Sequence, residues 1–213
     1  MTRRPPVPRR LDPARRFLQQ EAGAGLVEYA LVILLFLFLL FAIIDFGRLG
    51  FAVVSANKAN QIAARIAAVR PPVCPGVPTR NLRGTDTDAT FGTLCRAATG
   101  VCAMPAEVTC VGAMGNVTAQ EILDAVEPLL PPGAGVENLR FRYRSDPNLG
   151  FLGGPYVPIV TVEITEVDFR FVSPLGAMAQ ALSGGPGTFG ADIRLPGMSV
   201  SLPGEDLAHG MGN

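Results

Sequence analysis

The chain has 213 residues, of which 48% are hydrophobic and only 17% are charged. This length suits one modest domain with an appendage, and the hydrophobic content excludes disorder over most of the chain. Residues 1–21 hold six Arg against two acidic residues, a net charge of +4, so the remaining 12 basic and 16 acidic residues sum to −4. A net acidic remainder argues against a nucleic-acid-binding protein.

One segment is apolar enough to cross a bilayer. Residues 22–44 carry a single charge, Glu28, and residues 30–44 are wholly apolar, whereas a bilayer needs about 20 such residues. Because the Arg-rich stretch precedes this segment, the positive-inside rule predicts a cytoplasmic N-terminus and an exported remainder. The length of the apolar segment favours a retained anchor over a conventional cleaved signal peptide.

The carboxylate of Glu28 is the informative group in this segment. A charge at the centre of a bilayer costs about 2.5 kcal/mol or more, so Glu28 either lies at the cytoplasmic interface or has a charged partner. The residues around it read Gly23-Ala24-Gly25-Leu26-Val27-Glu28-Tyr29. This motif resembles the processing site of Flp-type prepilins, in which a Gly is followed by four residues and then Glu-Tyr.

The resemblance implies that a prepilin peptidase cuts between Gly23 and Ala24 on the cytoplasmic side and leaves the apolar helix on the mature chain. Cleavage creates an α-amino group at Ala24, one helical turn from Glu28. This cation could neutralise the carboxylate within the subunit or in a neighbouring one. Gly23, Ala24, Glu28 and Tyr29 are therefore the candidate processing site.

After the apolar segment, residues 46–70 contain no Pro and are rich in Ala, so we expect one helix to run from residue 24 to a stop at Pro71 and Pro72. Small or apolar residues recur every three or four positions and form one narrow face: Phe46, Leu49, Val53, Ala56, Ala63 and Ala67. Such a face suits close packing against a helix or a sheet, and it is equally typical of an ordinary core helix.

The run Ala63-Ala64-Arg65-Ile66-Ala67-Ala68 resembles the A-A-R-x-A-A continuation of the TadE-like family of Tad pilus proteins. The resemblance covers residues 23–70, and the ending at residues 201–207 is similar as well. Members are pseudopilins that assist assembly of the Tad (Flp-type) pilus. This implies as partners the prepilin peptidase, sibling pseudopilins, the major Flp pilin and the assembly platform, in a bacterial inner membrane with the C-terminal domain in the periplasm. About 140 further residues argue against a major Flp pilin, which is little more than a leader and one helix.

Residues 71–116 have the composition of turns and loops and contain all four cysteines: Cys74, Cys95, Cys102 and Cys110. An even count in an exported segment predicts two disulfides. The absence of a C-x-x-C pair and the single histidine, His209, argue against a zinc site. Of the three possible pairings we favour nearest neighbours, Cys74 with Cys95 and Cys102 with Cys110.

The rest of the chain alternates between helix and strand patterns. A capping box from Thr118 to Glu121 predicts a short helix that ends at Pro128. Residues 139–144 predict a strand with an apolar face of Leu139, Phe141 and Tyr143 and a basic face of Arg140, Arg142 and Arg144. The basic face is either an ordinary solvated face or a contact for anionic lipid, nucleic acid or an acidic partner.

Residues 156–172 predict one long strand or two, because Val160, Val162 and Ile164 share one parity whereas Val167, Phe169 and Phe171 share the other. The switch predicts a bulge or turn near residues 165–166. A second short helix follows Ser173 and Pro174 over residues 175–182, and a last strand spans residues 192–202. The acidic residues Glu163, Glu166 and Asp168 could bind a cation weakly, although charges on an outer sheet face are commoner.

These patterns predict an α+β fold of the pseudopilin type, with a long transmembrane helix that continues as a stalk and packs on a small antiparallel sheet with two short helices. The predicted units are a leader (1–23), a membrane helix (24–45), a helical stalk (46–70), a disulfide-closed loop region (71–116) and a head (117–213). No nucleotide-binding loop or catalytic histidine pattern occurs, so we expect neither an enzyme nor a cofactor or metal. The function predicted is a minor pilin or pseudopilin, and the alternative is an uncleaved, membrane-tethered periplasmic binding module.

Overall fold

The computed structural model describes residues 21–172, 193–205 and 207, with side chains from Gly25 onward. Its first element is one unbroken helix, α1, over Glu21–Val69, which is 49 residues long. This confirms that the apolar segment and the Ala-rich segment form a single helix. The helix ends before Pro71 and Pro72, whose missing N–H groups and ring clashes prevent its continuation.

The described residues after α1 contain six strands and one further α-helix. The strands are β1 (Val108–Val111), β2 (Leu139–Arg144), β3 (Ile159–Ile164), β4 (Asp168–Phe169), β5 (Ile193–Arg194) and β6 (Met198–Pro203), and the helix α2 spans Val117–Val126. The main sheet has the order β1-β2-β3-β6 and is antiparallel throughout, while β4 and β5 form a separate antiparallel pair. The predicted α+β fold with a small antiparallel sheet is confirmed.

The core lies between the helices and one face of the main sheet. Strands β2 and β3 contribute buried side chains to this core: Leu139, Phe141, Tyr143, Val160, Val162 and Ile164. Helix α1 contacts α2, β3 and β6, and its buried side chains are mostly alanines, at positions 52, 56, 59, 63, 64, 67 and 68. Because an alanine side chain is a single methyl group, the helix axis can lie close to the sheet. The predicted stalk is therefore the central helix of the head.

The predicted turn between the two parity patterns is confirmed. Strand β3 ends at Ile164, and Glu166 follows with a φ of 59°, in the left-handed region that a residue with a Cβ rarely adopts. The side-chain amide of Asn138 donates to the carbonyl oxygens of Thr165 and Glu166, at 3.0 Å each, and holds the turn. Before the turn the even-numbered residues of β3 face the core, and after it the odd-numbered residues Val167 and Phe169 are buried in the same core.

Three local predictions were wrong. Helix α2 begins two residues earlier than the capping box predicted, because the Asn116 side chain accepts a hydrogen bond from the Ala119 N–H at 2.9 Å and Thr118 already lies in the first turn. Residues 108–111, placed in the loop region, form strand β1. The last predicted strand is split, since Pro196 has no N–H for a ladder and separates β5 from β6.

Some predictions lie outside the described residues. They are the basic leader up to residue 20, the second short helix at residues 175–182, Asp192 and His209.

Candidate functional site

The candidate processing site lies at the N-terminal end of the described part of α1. This part begins at Glu21, so both residues of the Gly23–Ala24 bond are helical. Glu28 and Tyr29 are exposed, and among the described residues no hydrogen bond or ion pair reaches the Glu28 carboxylate. The structure thus presents Glu28 on an open apolar helix, where a charged partner from outside the described chain can reach it.

The segment from Gly25 to Ile44 stands clear of the head. Its side chains are exposed or half-buried, and the most apolar window of the helix has a mean hydropathy of 2.9 with none of its residues buried. A helix of this kind is long and apolar enough to anchor the chain in a membrane. Exposure of these apolar side chains to water is unfavourable, so a bilayer is the environment that suits them.

The head meets α1 where the apolar segment ends. Asp45, the first charge after that segment, is 2% exposed, and its Oδ1 accepts a hydrogen bond from the backbone N–H of Val172 at 3.4 Å. The Arg48 side chain contacts the same oxygen at 3.5 Å and lies over the Phe169 ring, 5.5 Å from its centroid. The rings of Phe46 and Phe171 pack edge to face at 6.4 Å. Sequence reasoning assigned Asp45 and Arg48 no such role, because the partner residues follow more than 120 positions later.

The C-terminal end of α1 is held by polar contacts. Arg70 pairs with Glu121 of α2 at 2.6 Å, and the Asn116 side chain donates to the Val73 carbonyl at 3.0 Å. The Tyr143 hydroxyl accepts from the Val73 N–H at 3.1 Å. Burial raises the pKa of Tyr143 to about 12, although the hydrogen bond from Val73 acts in the opposite direction. These contacts fix the chain just after α1 against both α2 and the sheet.

Both disulfides form, but the favoured pairing of neighbours was wrong. The bonds are Cys74–Cys110 and Cys95–Cys102. Phe141 of β2 explains the first bond, because Cys110 lies opposite it in the sheet register and the Cys74 Sγ lies 3.8 Å from its carbonyl oxygen. The second bond closes a separate small cluster with Val101 and Leu152. Sequence proximity is misleading here because the sheet brings residue 110 back to the end of α1.

The basic face of β2 is a sheet surface on which one of the three arginines is ion-paired. Arg142 lies between Glu163 at 3.2 Å and Glu107 at 3.8 Å, while Arg140 and Arg144 are exposed. The acidic residues are not gathered into a cation site, since Asp168 contacts Arg194 at 3.5 Å on the other sheet. Within the described ranges no cluster of three or more His, Cys, Asp or Glu side chains has a metal-binding arrangement.

Asn60 of α1 is buried, with 1% of its surface exposed. Its amide nitrogen and oxygen make no hydrogen bond to the part of the chain that the structure describes. A buried amide without partners costs about 1–3 kcal/mol. The sequence pattern gave no indication of this, because Asn60 falls between Ala56 and Ala63 on a face otherwise made of small apolar residues.

The geometry thus combines an open apolar helix segment that carries one carboxylate with a disulfide-bonded head that packs along the C-terminal half of the same helix. Residues 23–65 match the family model of the TadE-like protein. The resemblance seen in the sequence is confirmed over these residues, which include the whole processing motif and most of the alanine face. No curated protein and no solved structure matches the chain. The TadE-like match associates the chain with Tad pilus assembly, and its specific role there is a matter for proposal.

Proposed function

We propose that this chain is a pseudopilin that assists assembly of the Tad (Flp-type) pilus and is a substrate of a prepilin peptidase, not an enzyme itself. The observation that carries the proposal is the TadE-like match, which begins at Gly23 and extends through Glu28 into the helix that forms the core of the head. The chain would be anchored in a bacterial inner membrane with its N-terminus in the cytoplasm and its head in the periplasm, as the Arg-rich leader favours.

The position of the Gly23–Ala24 bond supports processing. Gly23 supports cleavage because it lacks a Cβ and therefore adopts at little cost the extended form that a protease needs. Cleavage there leaves the membrane anchor joined to the central helix of the head, because both are parts of α1.

Glu28 is the proposed assembly residue. Its exposed carboxylate lies in an apolar segment, where an unpaired charge is costly, and the α-amino group that cleavage creates at Ala24 is a suitable partner. In a neighbouring subunit that amine would pair with Glu28 and set the register between two anchors. Sibling pseudopilins, the major Flp pilin and the assembly platform are the proposed partners.

The proposal is tested by replacing Glu28 in the native host. In a strain whose chromosomal copy is deleted, Glu28→Ala should be processed and reach the membrane but fail to restore pili. Leu26→Ala, an equally exposed neighbour in the same apolar segment, should restore them. Normal piliation with Glu28→Ala would contradict the role of Glu28, and normal piliation of the deletion strain itself would contradict the role of the protein.

A further inference from the structure

The head extends down to the point where the apolar segment of α1 ends. The backbone N–H of Val172 donates to the Asp45 carboxylate at 3.4 Å, and the rings of Phe46 and Phe171 pack edge to face at 6.4 Å. These two contacts fix Phe171 and Val172 at the height of residues 45–46 on α1. We refer to Phe171 and Val172 as the underside of the head.

The height of the underside relative to a bilayer follows from the length of the anchor. A hydrocarbon core of about 30 Å takes about 20 helical residues, and the headgroup layer adds about 5–7 Å, or three to five residues. The earliest start of the core, after Glu21 of an uncleaved chain, ends it at about residue 42, and the latest, at Glu28, ends it at about residue 48. The underside therefore lies within the lipid in either case, in the headgroup layer or at the edge of the hydrocarbon.

The surface at this height is apolar where it is exposed. Val172 is 75% exposed and Phe46 is 61% exposed, and one turn lower on α1 the side chains of Ile43 and Ile44 are exposed as well. Exposure of this area to water is unfavourable, whereas contact with lipid is not. The underside thus continues the apolar surface of the anchor onto the head.

The first charge of α1 after the apolar segment is covered by the head. Asp45 is 2% exposed, because the Val172 N–H and the Arg48 side chain, at 3.5 Å, both contact its Oδ1. A bare carboxylate in hydrocarbon costs about 2.5 kcal/mol or more. Because the head covers this carboxylate, α1 can enter the lipid up to residue 46 without presenting a free carboxylate to it at residue 45.

The arginines near the underside are compatible with this height. Arg48 lies three residues beyond Asp45 along α1, about 4.5 Å further from the centre of the membrane, so its charge lies towards the headgroups. Arg170 precedes Val172 by two residues and is exposed. An arginine side chain is long enough to extend its guanidinium into the headgroup layer while its methylene groups contact apolar surface.

We propose that the underside of the head is a membrane-contact surface, where Val172 and Phe171 enter the lipid at the edge of the hydrocarbon beside α1. The partner is the bilayer itself, and no bound lipid or pocket is involved. This contact holds the head at a fixed height above the membrane. The inference rests on membrane anchoring by α1 and is independent of processing and of a pilus.

The chain contains no Trp, so one introduced Trp reports on its own surroundings. The full chain is reconstituted into vesicles of phosphatidylethanolamine and phosphatidylglycerol that carry bromine, a contact quencher, on acyl carbons near the glycerol. Val172→Trp places the probe on the underside, at a side chain exposed enough to be enlarged without repacking. Val54→Trp and Val117→Trp are the matched controls, because both valines are similarly exposed, at 69% and 83%.

The two controls lie farther from the lipid. Val54 is at least six residues beyond the end of the core, about 9 Å or more, whereas the headgroup layer is about 5–7 Å thick. Val117 follows Asn116, whose side chain donates to the Val73 carbonyl just past the end of α1, about 36 Å from Asp45 along the helix. We therefore expect brominated lipid to remove most of the emission of Val172→Trp, less of that of Val54→Trp and almost none of that of Val117→Trp.

Phe36→Trp, in the middle of the apolar segment, tests the anchor separately and should be quenched by lipid that carries bromine near the ends of its acyl chains. Quenching of Phe36→Trp without quenching of Val172→Trp would overturn the proposal and leave the proposed function untouched. In that case, shielding of Val172→Trp that is independent of protein density would assign the underside to a contact within the chain, and shielding that grows with density would assign it to a second copy.

Two other results would also overturn the proposal. Equal quenching of Val172→Trp and of either control would show that the underside is not the part of the head that contacts the lipid. A Phe36→Trp that brominated lipid does not quench would contradict anchoring by α1, and with it both this inference and the membrane location in the proposed function.

Discussion

Loss of the Cys74–Cys110 disulfide should destabilise the head more than loss of Cys95–Cys102. The first bond joins residues 36 positions apart and the second joins residues 7 positions apart. In the chain-entropy model, a disulfide stabilises by restricting the unfolded chain, which gives about 4 kcal/mol for the longer loop and about 2.5 kcal/mol for the shorter one. The longer loop also contains the connection from α1 to β1, so its release frees the end of the central helix.

The two double variants, Cys74→Ala with Cys110→Ala and Cys95→Ala with Cys102→Ala, are each other's control. Urea unfolding of the full chain in detergent micelles can be followed by near-ultraviolet circular dichroism, to which the buried ring of Tyr143 contributes. We expect the first variant to unfold at lower urea, with a free energy of unfolding lower by about 1.5 kcal/mol. Equal midpoints, or the reverse order, would refute the reasoning from loop length. Peptide mapping that found Cys74 joined to Cys95 would refute the pairing itself.

Three further predictions concern the packing of the sheet on α1 and on the chain just after it. Tyr143→Phe removes the hydroxyl that accepts the hydrogen bond from the Val73 N–H. It should lower the free energy of unfolding, measured with urea, by about 1–3 kcal/mol. The wild-type chain should also lose about 2 kcal/mol of stability between pH 10 and pH 12, because the unfolded tyrosine ionises first while burial keeps the folded one protonated, and Tyr143→Phe should lack most of this loss. Ala63→Leu should lower the free energy of unfolding by about 1–3 kcal/mol, and the thermal midpoint with it, because residue 63 is 0% exposed and a larger side chain overpacks the core. Gln61→Leu, on the exposed side of α1, should change the thermal midpoint little. Equal effects of the two substitutions would place the sheet on another face of α1.

The sequence predicted the elements that depend on local chemistry. The apolar run, the Ala-rich continuation and the Pro-Pro stop are sufficient to predict α1, because each determines the backbone conformation of residues that are close to it in sequence. The alternation over residues 139–144 and the parity switch near Glu166 were likewise confirmed. In both cases the burial of one sheet face imposes a period of two that can be read from the chain.

What the sequence did not predict depends on contacts between distant residues. The pairing of Cys74 with Cys110 follows from the register of β1 on β2. The sequence did not reveal this register, because β1 has only four residues and its alternation between half-buried and exposed positions is weak. The junction of Asp45 with Val172 joins residues 127 positions apart. Asp45 reads as an ordinary flanking charge until the fold places a backbone N–H beside it.

The central claim is that the chain is cut after Gly23 and retained in the membrane by α1. The most direct test is the intact mass and N-terminal sequence of the protein from its own host, compared with Gly23→Leu and with Gly25→Leu as control, since a Cβ at residue 25 meets no other atom within 4 Å. We predict that wild type and Gly25→Leu begin at Ala24, while Gly23→Leu keeps its full length. A wild-type chain that still carries residues 2–23 would contradict the account and favour the alternative of an uncleaved, membrane-tethered binding module.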